Sequence, residues 1–432
     1  MTATPRDHRR LASSALVLSA ATMTSNVLGY LLTIVAARSL PTADFGAFGA
    51  LLALIIIGNV AALAVQATVA RRTAHEDTGL AGTGLVTAAL VTVLVAATAP
   101  VTAPLLRLDG PGPMVAVALA LGGLAVAAVP FGLVQGREQF ERLAALVLVQ
   151  TVLRVGGGLV GILATGELLG TLVGLALGLA LAAVAAWAWV RPRLGAGSLG
   201  GAREVLAAAT TLLGFVLVTN VDVVLARALL EPRASGLYAA GSIITKVAFW
   251  VSQFVPLLAF PRLTQAARRE RALRLSLATV GLIGAGAVGV AVLLAEPIVT
   301  VVAGDRYLAV APLLGWFALL GSLLAIANVA VYAGIARRDG WTTLLVWVAL
   351  AALVGGALAL RPDAGGLVRL ACAVAATLAA VAAVRELRHE PDPARPTSHR
   401  PDEPSQPAAP APPAPPGPAP PMIHGNESTP GR

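Results

Sequence analysis

Charged side chains are rare within the long apolar runs of this sequence. The few that occur there are the side chains in these runs that could bind or react with a ligand. Arg154 and Lys246 each stand near the middle of an apolar run, and Asp222 is the only acidic residue so placed. A charge at the centre of a bilayer costs about 2.5–3.5 kcal/mol on insertion scales, so each is a candidate functional residue. The planar fork of arginine suits phosphate, and lysine adds a point charge. One interpretation of the two cations is therefore an anion-binding site that a pyrophosphate would fit.

The single acidic residue allows two interpretations of this set. Asp222 lies at nearly the depth of Lys246 on the next, antiparallel run, so the two side chains could form a salt bridge that merely pins two helices together. Alternatively, Arg154 and Lys246 line a water-filled cavity, and Asp222 tunes or gates it by pairing with Lys246 in one state. Arg369 stands near the outer end of the last run, where its stem can snorkel to the interface, so it is predicted to be structural.

Further polar and aromatic side chains share helical faces within these runs. Trp250 and Gln253 follow Lys246 at i+4 and i+7, which places an aromatic plane and an amide beside a cation, as sugar rings favour. Core packing explains Trp250 almost as well. Asn26 and Asn59 place amides in the first two runs, where interhelical hydrogen bonds are the simpler explanation. The predicted substrate-binding set is Arg154, Lys246, Asp222, Trp250, Gln253, Asn26 and Asn59.

The composition excludes a water-soluble enzyme. Of 432 residues 57% are hydrophobic and 12% are charged, whereas about a quarter are charged in soluble domains. One Cys and five scattered His predict no disulfide framework, no metal site and no cofactor, and no catalytic residues are evident. The net charge of +9 does not indicate nucleic-acid binding, because the basic residues stand between apolar runs and not on one polar face with aromatic residues.

Apolar stretches long enough to cross a hydrocarbon core of about 30 Å recur along the chain. They predict an all-α polytopic membrane protein with about 12 transmembrane helices, in two six-helix halves around a central cavity. The predicted spans lie near residues 11–37, 45–69, 79–106, 113–135, 143–165, 168–190, 205–230, 236–259, 275–295, 307–335, 341–360 and 364–384.

The loops between these runs predict the orientation, because basic residues accumulate on the cytoplasmic side. Most of them lie in alternate segments that include both ends of the chain, so both termini are predicted to be cytoplasmic. Lys246 is the only lysine among the 31 basic residues, and the other 30 are arginine. This preference for arginine suggests a GC-rich bacterial genome and hence a bacterial plasma membrane. The opposite, outer loops hold six arginines, namely Arg38, Arg107, Arg227, Arg233, Arg306 and Arg361.

The apolar spans and the change in composition near the C-terminus divide the chain into segments. The C-terminal stretch PAAPAPPAPPGPAPP cannot bury apolar surface, so it is predicted to be a disordered tail, either a spacer or a docking segment for an SH3-like groove. The predicted boundaries are 1–10 for the cytoplasmic N-terminus, 11–190 for the first half, 191–204 for a cytoplasmic linker, 205–385 for the second half and 386–432 for the tail.

One sequence pattern occurs twice, six helices apart. Residues 37–40 read ARSL and are followed by GAF at 46–48, whereas residues 226–229 read ARAL and are followed by GLY at 236–238. Because six helices separate the two copies, both predict the same orientation, as in two parallel halves related by an axis along the membrane normal. A chance match between common residue types is the alternative.

Three segments carry a family resemblance. The opening SSALVLSAATMTSNVLGYLLTIVAARSLPTADFGAFGALLALI resembles the first hairpin of bacterial polysaccharide-unit flippases, in the superfamily of multidrug, oligosaccharidyl-lipid and polysaccharide exporters. FGLVQGREQFERLAALVLVQTVLRVGGGLVG is similar to their fourth-to-fifth helix junction. TNVDVVLARALLEPRASGLYAAGSIITKVAFWVSQFVPLLAFPRL is similar to their seventh and eighth helices. The resemblance covers about residues 11–385.

This resemblance implies a transporter that flips a polyprenyl-pyrophosphate-linked oligosaccharide, of the undecaprenyl type, from the cytoplasmic to the outer leaflet for cell-surface polysaccharide biosynthesis. Alternating access, coupling to a proton or sodium gradient, and a polysaccharide polymerase or glycosyltransferases as partners are further implications. Two alternatives remain open. A drug or metabolite antiporter of the same superfamily would need embedded carboxylates such as Asp222. A membrane scaffold would recruit partners through its tail.

Overall fold

The computed structural model describes residues 5–73, 81–192, 210–252, 269–336 and 340–388, and all regular structure in these ranges is helical. Eleven helices are long and apolar enough to cross a membrane, and one bent pair of shorter helices can form a twelfth crossing. The predicted all-α polytopic fold is therefore confirmed.

The helices of the first half are continuous. They are α1 Pro5–Ser39, α2 Thr42–Thr73, α3 Ala81–Leu105, α4 Gly112–Gly136, α5 Phe140–Thr165 and α6 Leu168–Val190. The second half has shorter pieces as well as long helices. They are α7 Thr210–Val218, α8 Val221–Leu229, α9 Pro232–Ser252, α10 Arg269–Leu293, α11 Ala295–Val302, a 3₁₀ helix Asp305–Leu313, α12 Leu314–Ala336, α13 Gly340–Leu360 and α14 Ala364–Arg388.

The seventh crossing differs from the prediction of one continuous helix over residues 205–230. Its two pieces, α7 and α8, meet at a bend of 47°. The side chains of Thr219 and Asn220 both donate to the carbonyl of Val216, at 3.0 and 2.8 Å. Hydrogen bonds of this kind compete with the helical backbone pattern, so the Thr-Asn pair ends α7 inside an otherwise apolar run.

Packing joins the helices into one bundle. In the first half α2, α3 and α6 pack on α4, and α1 and α6 pack on α5. In the second half α9, α10 and α14 pack on α12, while α13 packs on α7 and α14. Helix α2 contacts α7, α8 and α9, so it joins the two halves. We call the end of the bundle where α1 ends and α2 begins the outer end, following the orientation that the arginine distribution predicts.

Equivalent positions of the repeated pattern contact each other where α2 meets α9. A Cβ added to Gly46 would lie 2.7 Å from the backbone nitrogen of Gly236, and one added to Gly49 would lie 2.9 Å from the Cβ of Ala239. Residues 46 and 49 differ from 236 and 239 by the same offset. A two-fold axis running between α2 and α9 requires this arrangement, so the close packing favours a true internal repeat over a chance match.

Buried aromatic rings surround this contact. Phe45, Phe48, Tyr238, Tyr307 and Phe317 are each at most 1% exposed. The rings of Phe45 and Tyr307 meet edge to face with their centroids 5.7 Å apart, and those of Tyr238 and Phe317 do so at 5.0 Å. Because the first pair joins one half to the other, the outer end of the bundle has a continuous core across the two halves.

Glycines allow α5 and α6 to approach closely. A Cβ on Gly157 would overlap the carbonyl oxygen of Gly174, and a Cβ on Gly161 would overlap that of Gly170. Small residues at such a seam let two backbones come together within a membrane, where van der Waals contact drives helix association.

Replacing a seam glycine is expected to destabilise the bundle. Gly157→Ala should lower the free energy of unfolding by about 1–3 kcal/mol, because the added methyl group must push the α6 backbone away. The measurement is the midpoint of thermal unfolding in detergent.

The adjacent Gly156 provides a matched control, since a Cβ there would meet nothing within 4 Å. Gly156→Ala should leave stability unchanged or raise it by up to about 1 kcal/mol, because alanine has the higher helix propensity. Equal midpoints for the two variants would show that the seam does not depend on its glycines.

Candidate functional site

Lys246 of the neighbouring helix α9 donates hydrogen bonds to the backbone and side chain at the break in the seventh crossing. The Lys246 ammonium donates to the backbone carbonyl of Thr219 at 2.7 Å and to the side-chain oxygen of Asn220 at 2.6 Å. Carbonyls at the C-terminal end of a helix lack intrahelical partners and carry partial negative charge, so a cation there is favourable. The break lies ten residues before the end of α8 at Leu229, about 15 Å at 1.5 Å per residue, which is near mid-membrane.

Asp222 stands on the other side of the same break, in the first turn of α8. Its side chain is 4% exposed and accepts a hydrogen bond of 3.0 Å from the hydroxyl of Tyr238 on α9. An acidic residue in the first turn of a helix interacts favourably with the positive end of the helix dipole. Asp222 and Lys246 thus stabilise the two new helix ends that the break creates.

The salt bridge considered from the sequence is not formed in the described part of the chain. Lys246 and Asp222 are close enough to interact electrostatically, yet the hydrogen bonds of each go to other groups, the ammonium to the end of α7 and the carboxylate to Tyr238. The similar depth of the two residues suggested a direct salt bridge, because in a continuous seventh helix every backbone carbonyl near Lys246 would already be hydrogen-bonded. The break provides one.

Arg154 lies near the middle of α5 and is half-buried. Gly29 of α1 leaves room for it, since a Cβ at position 29 would stand 3.3 Å from a terminal guanidinium nitrogen. One turn away, the hydroxyls of Ser25 and Thr151 bond to each other at 2.6 Å and fix α1 against α5. Within the described ranges the Arg154 guanidinium has no hydrogen-bond or ion-pair partner. A charged group in this position needs water or an anionic ligand to offset its burial.

The two membrane cations belong to different halves. The helix that carries Arg154 packs on α1, α4 and α6, and the one that carries Lys246 packs on α2, α8 and α12. Lys246 is half-buried, as Arg154 is, but it has two protein partners. A shared cavity for these two residues stays a prediction.

The remaining predicted residues are placed as follows. Asn26 and Asn59 are half-buried on α1 and α2, and neither has a hydrogen-bond partner among the described residues. Trp250 is 39% exposed and meets the ring of Phe249 edge to face at 5.9 Å, so it is not part of the buried core. Gln253 lies outside the described residues.

Sequence reasoning missed three residues of this site. Thr219 and Asn220 create the break, and Tyr238 binds the carboxylate of Asp222. The Thr-Asn pair inside an apolar run was a usable signal, because both residue types bond to nearby carbonyls. The role of Tyr238 depends on how α8 and α9 pack and leaves no local signal.

Known proteins resemble this chain in sequence and in fold. The sequence model of a family described as polysaccharide biosynthesis protein matches residues 11–267, more than half of the chain. No curated protein matches the sequence significantly.

Three solved structures show the same fold at low sequence identity. An inward-facing multidrug resistance transporter of the MATE family, in the MOP superfamily, has 14% identity and a TM-score of 0.64, covering 86% of this chain and 97% of its own. The lipid II flippase MurJ, in an inward closed conformation, has 12% identity and a TM-score of 0.65 over 87% and 88%. The MATE multidrug transporter DinF-BH, in complex with R6G, has 13% identity and a TM-score of 0.62 over 89% and 95%.

The hydrogen bond from the Tyr238 hydroxyl to Asp222 is expected to stabilise the protein more than the bond that a second buried tyrosine, Tyr307, donates to a backbone carbonyl. Tyr238→Phe should lower the free energy of unfolding by about 1.5–3 kcal/mol, the usual range for a bond to a charged group. Thermal unfolding in detergent measures the change.

Tyr307→Phe is the matched control, because Tyr307 is equally buried but donates to the neutral carbonyl of Ala37 at 3.2 Å. Its cost should be about 0.5–1.5 kcal/mol. A larger loss in Tyr307→Phe than in Tyr238→Phe would contradict a charged, bonded Asp222.

Proposed function

Since the chain belongs to the polysaccharide biosynthesis protein family, we propose that it is a membrane transporter that flips a polyprenyl-pyrophosphate-linked oligosaccharide from the cytoplasmic to the outer leaflet of a bacterial plasma membrane. The observation that carries this proposal is Arg154, a half-buried guanidinium in the middle of a membrane helix with no protein partner in the described part of the chain. A pyrophosphate would supply the charge and the acceptors that it needs.

Lys246 supports the proposal in a different way. It holds α7 and α8 together through one carbonyl and one amide oxygen, both of them neutral acceptors, and within the described residues it forms no salt bridge. Broken membrane helices in transporters place such ends at the substrate site. We propose that the ammonium exchanges these acceptors for the anionic head group during the transport cycle, and that Asp222 sets the electrostatic balance.

The hydrophobic part of the substrate would need no site within the bundle. Large apolar side chains cover its surface, with Leu163 79% and Leu282 74% exposed, and they match the hydrocarbon of the bilayer. The polyprenyl tail would stay in lipid while the charged head group and sugars pass between the halves. Rocking of the two halves about their common axis would provide alternating access. A proton or sodium gradient is the proposed energy source.

Drug extrusion is the second candidate function. One of the structural neighbours is a multidrug transporter in complex with R6G, and Asp222 is a buried carboxylate inside the membrane. Two half-buried cations, Arg154 and Lys246, would oppose a cationic drug. For that reason we favour an anionic substrate. A scaffold role, with the C-terminal tail recruiting partners, predicts that both cations can be replaced without effect.

Leaflet exchange in liposomes tests the proposal. The wild type should exchange a fluorescent polyprenyl-pyrophosphate oligosaccharide between leaflets, and Arg154→Gln should slow this exchange at least about tenfold, because a charge-assisted contact with the head group is lost. Lys246→Gln should also slow it. The matched control is Arg369→Gln. Among the described residues, this membrane arginine bonds only to its own helix, through the carbonyl of Gly365.

Three other outcomes would count against the proposed function or against the site assigned to it. Exchange that survives both substitutions would make the two cations structural. Equal slowing by Arg369→Gln would show a general effect of charge. Extrusion of a cationic dye, lost in Asp222→Asn, with no lipid exchange by the wild type, would establish the drug antiporter.

A further inference from the structure

Four of the six arginines predicted in the outer loops make hydrogen bonds from one half of the bundle to the other. Arg227, at the end of α8, is 4% exposed and reaches into the first half. Its guanidinium donates to the backbone carbonyls of Leu106 at 2.7 Å, Arg107 at 2.8 Å and Ala43 at 2.9 Å. In return, Arg107 donates to the carbonyl of Leu230 at 2.7 Å.

A second set repeats this arrangement with the halves exchanged. Arg38, at the end of α1, donates to the carbonyls of Thr300 and Val301 in the last turn of α11. Arg306 of the second half donates in return to the carbonyls of Leu40, at 3.0 Å, and Arg38.

The two sets are related by the internal repeat. Arg38 and Arg227 occupy the same place in the ARSL and ARAL copies, and Leu40 and Leu230 follow α1 and α8 directly. The partners Arg107 and Arg306 both follow the third crossing of their half. We name these four residues, Arg38, Arg107, Arg227 and Arg306, the outer arginine clasp.

The acceptors explain why the clasp holds. Most are carbonyls at or just beyond the C-terminal ends of α1, α3, α8 and α11, where the helix leaves them without partners and with partial negative charge. Each arginine therefore satisfies helix ends that belong to the opposite half. These bonds exist only while the outer ends of the halves touch.

From this geometry we infer that the outer arginine clasp is the outer gate of the transporter, and that it must open in every cycle to expose the site to the outside. This inference rests on the alternating access proposed above. The aromatic contact of Phe45 with Tyr307 and the close approach of Gly46 to Gly236 lie at the same level and separate in the same movement. Neutral carbonyls are replaceable by water, so the clasp can open without leaving a charge unpaired in hydrocarbon.

Electron spin resonance distances between the two halves test the gate without any substrate. Spin labels are attached at Glu167→Cys, between α5 and α6, and at Leu360→Cys, at the end of α13; both side chains are exposed at the outer end. The buried Cys372 is replaced by serine. Arg107→Gln combined with Arg306→Gln should increase the population with the longer distance about tenfold or more, since the three charge-assisted bonds that these arginines make across the gate are lost. Both arginines are exposed, so the variant retains its core.

Arg233→Gln is the matched control. It removes an exposed outer arginine that has no hydrogen bond to the other half among the described residues, and it should leave the distances as in the wild type. Arg227→Lys keeps the charge but loses the fork, and it should shift the distances in the same direction as the double variant. An unchanged distribution in both clasp variants, or an equal shift in Arg233→Gln, would overturn the inference.

The outcomes separate the gate from the proposed substrate. If the distances shift as expected while the wild type exchanges no lipid-linked oligosaccharide, the gate stands and the proposed function fails. If exchange depends on Arg154 but the distances do not respond to the clasp variants, the proposed function stands and the gate is elsewhere.

Discussion

Hydrocarbon offers no hydrogen bonds, so every interruption of a membrane helix must be satisfied by the protein itself or by water in a cavity that the protein encloses. This constraint explains the polar contacts of the bundle. At mid-membrane the break between α7 and α8 exposes the carbonyl of Thr219, and Lys246 binds it. At the outer end α3 and α8 expose further carbonyls, and arginines of the opposite half bind them. In each case a cation from elsewhere in the fold completes a helix end, and the same bonds hold separate elements together.

The sequence predicted the architecture well because its signal is local. The length of each apolar run gave the crossings, and the family resemblance carried by three segments is confirmed by the family match over residues 11–267. The sequence also identified Arg154, Lys246 and Asp222 as charged residues inside the membrane that need partners. It could not provide their partners. The acceptor of Lys246 depends on a helix break. The carbonyls that Arg227 binds lie about 120 or more residues away in the chain, and only the packing of the two halves brings them close to it.

The halves are alike at the outer end and different at mid-membrane. Helix α1 runs without interruption from Pro5 to Ser39, whereas its counterpart in the second half is broken at Thr219 and Asn220. Arg154, without a partner in the described residues, belongs to the first half, and the satisfied Lys246 belongs to the second. Sites of function are often where a protein departs from its own regularity. Here the departures from the repeat coincide with the residues proposed to bind the substrate.

The contact between α2 and α9 has a further consequence when each half is regarded as a subunit. Gly46 meets Gly236 and Gly49 meets Ala239, so each half presents the same patch to the other, as subunits do in an isologous dimer. The arginines follow the same rule. A six-helix chain with these residues would pair with a second copy of itself through this surface and close its outer end in the same way. Fusion of two such genes would then give a single chain. The mid-membrane part of each half would be free to diverge, while the shared patch at the outer end continued to hold the two halves together.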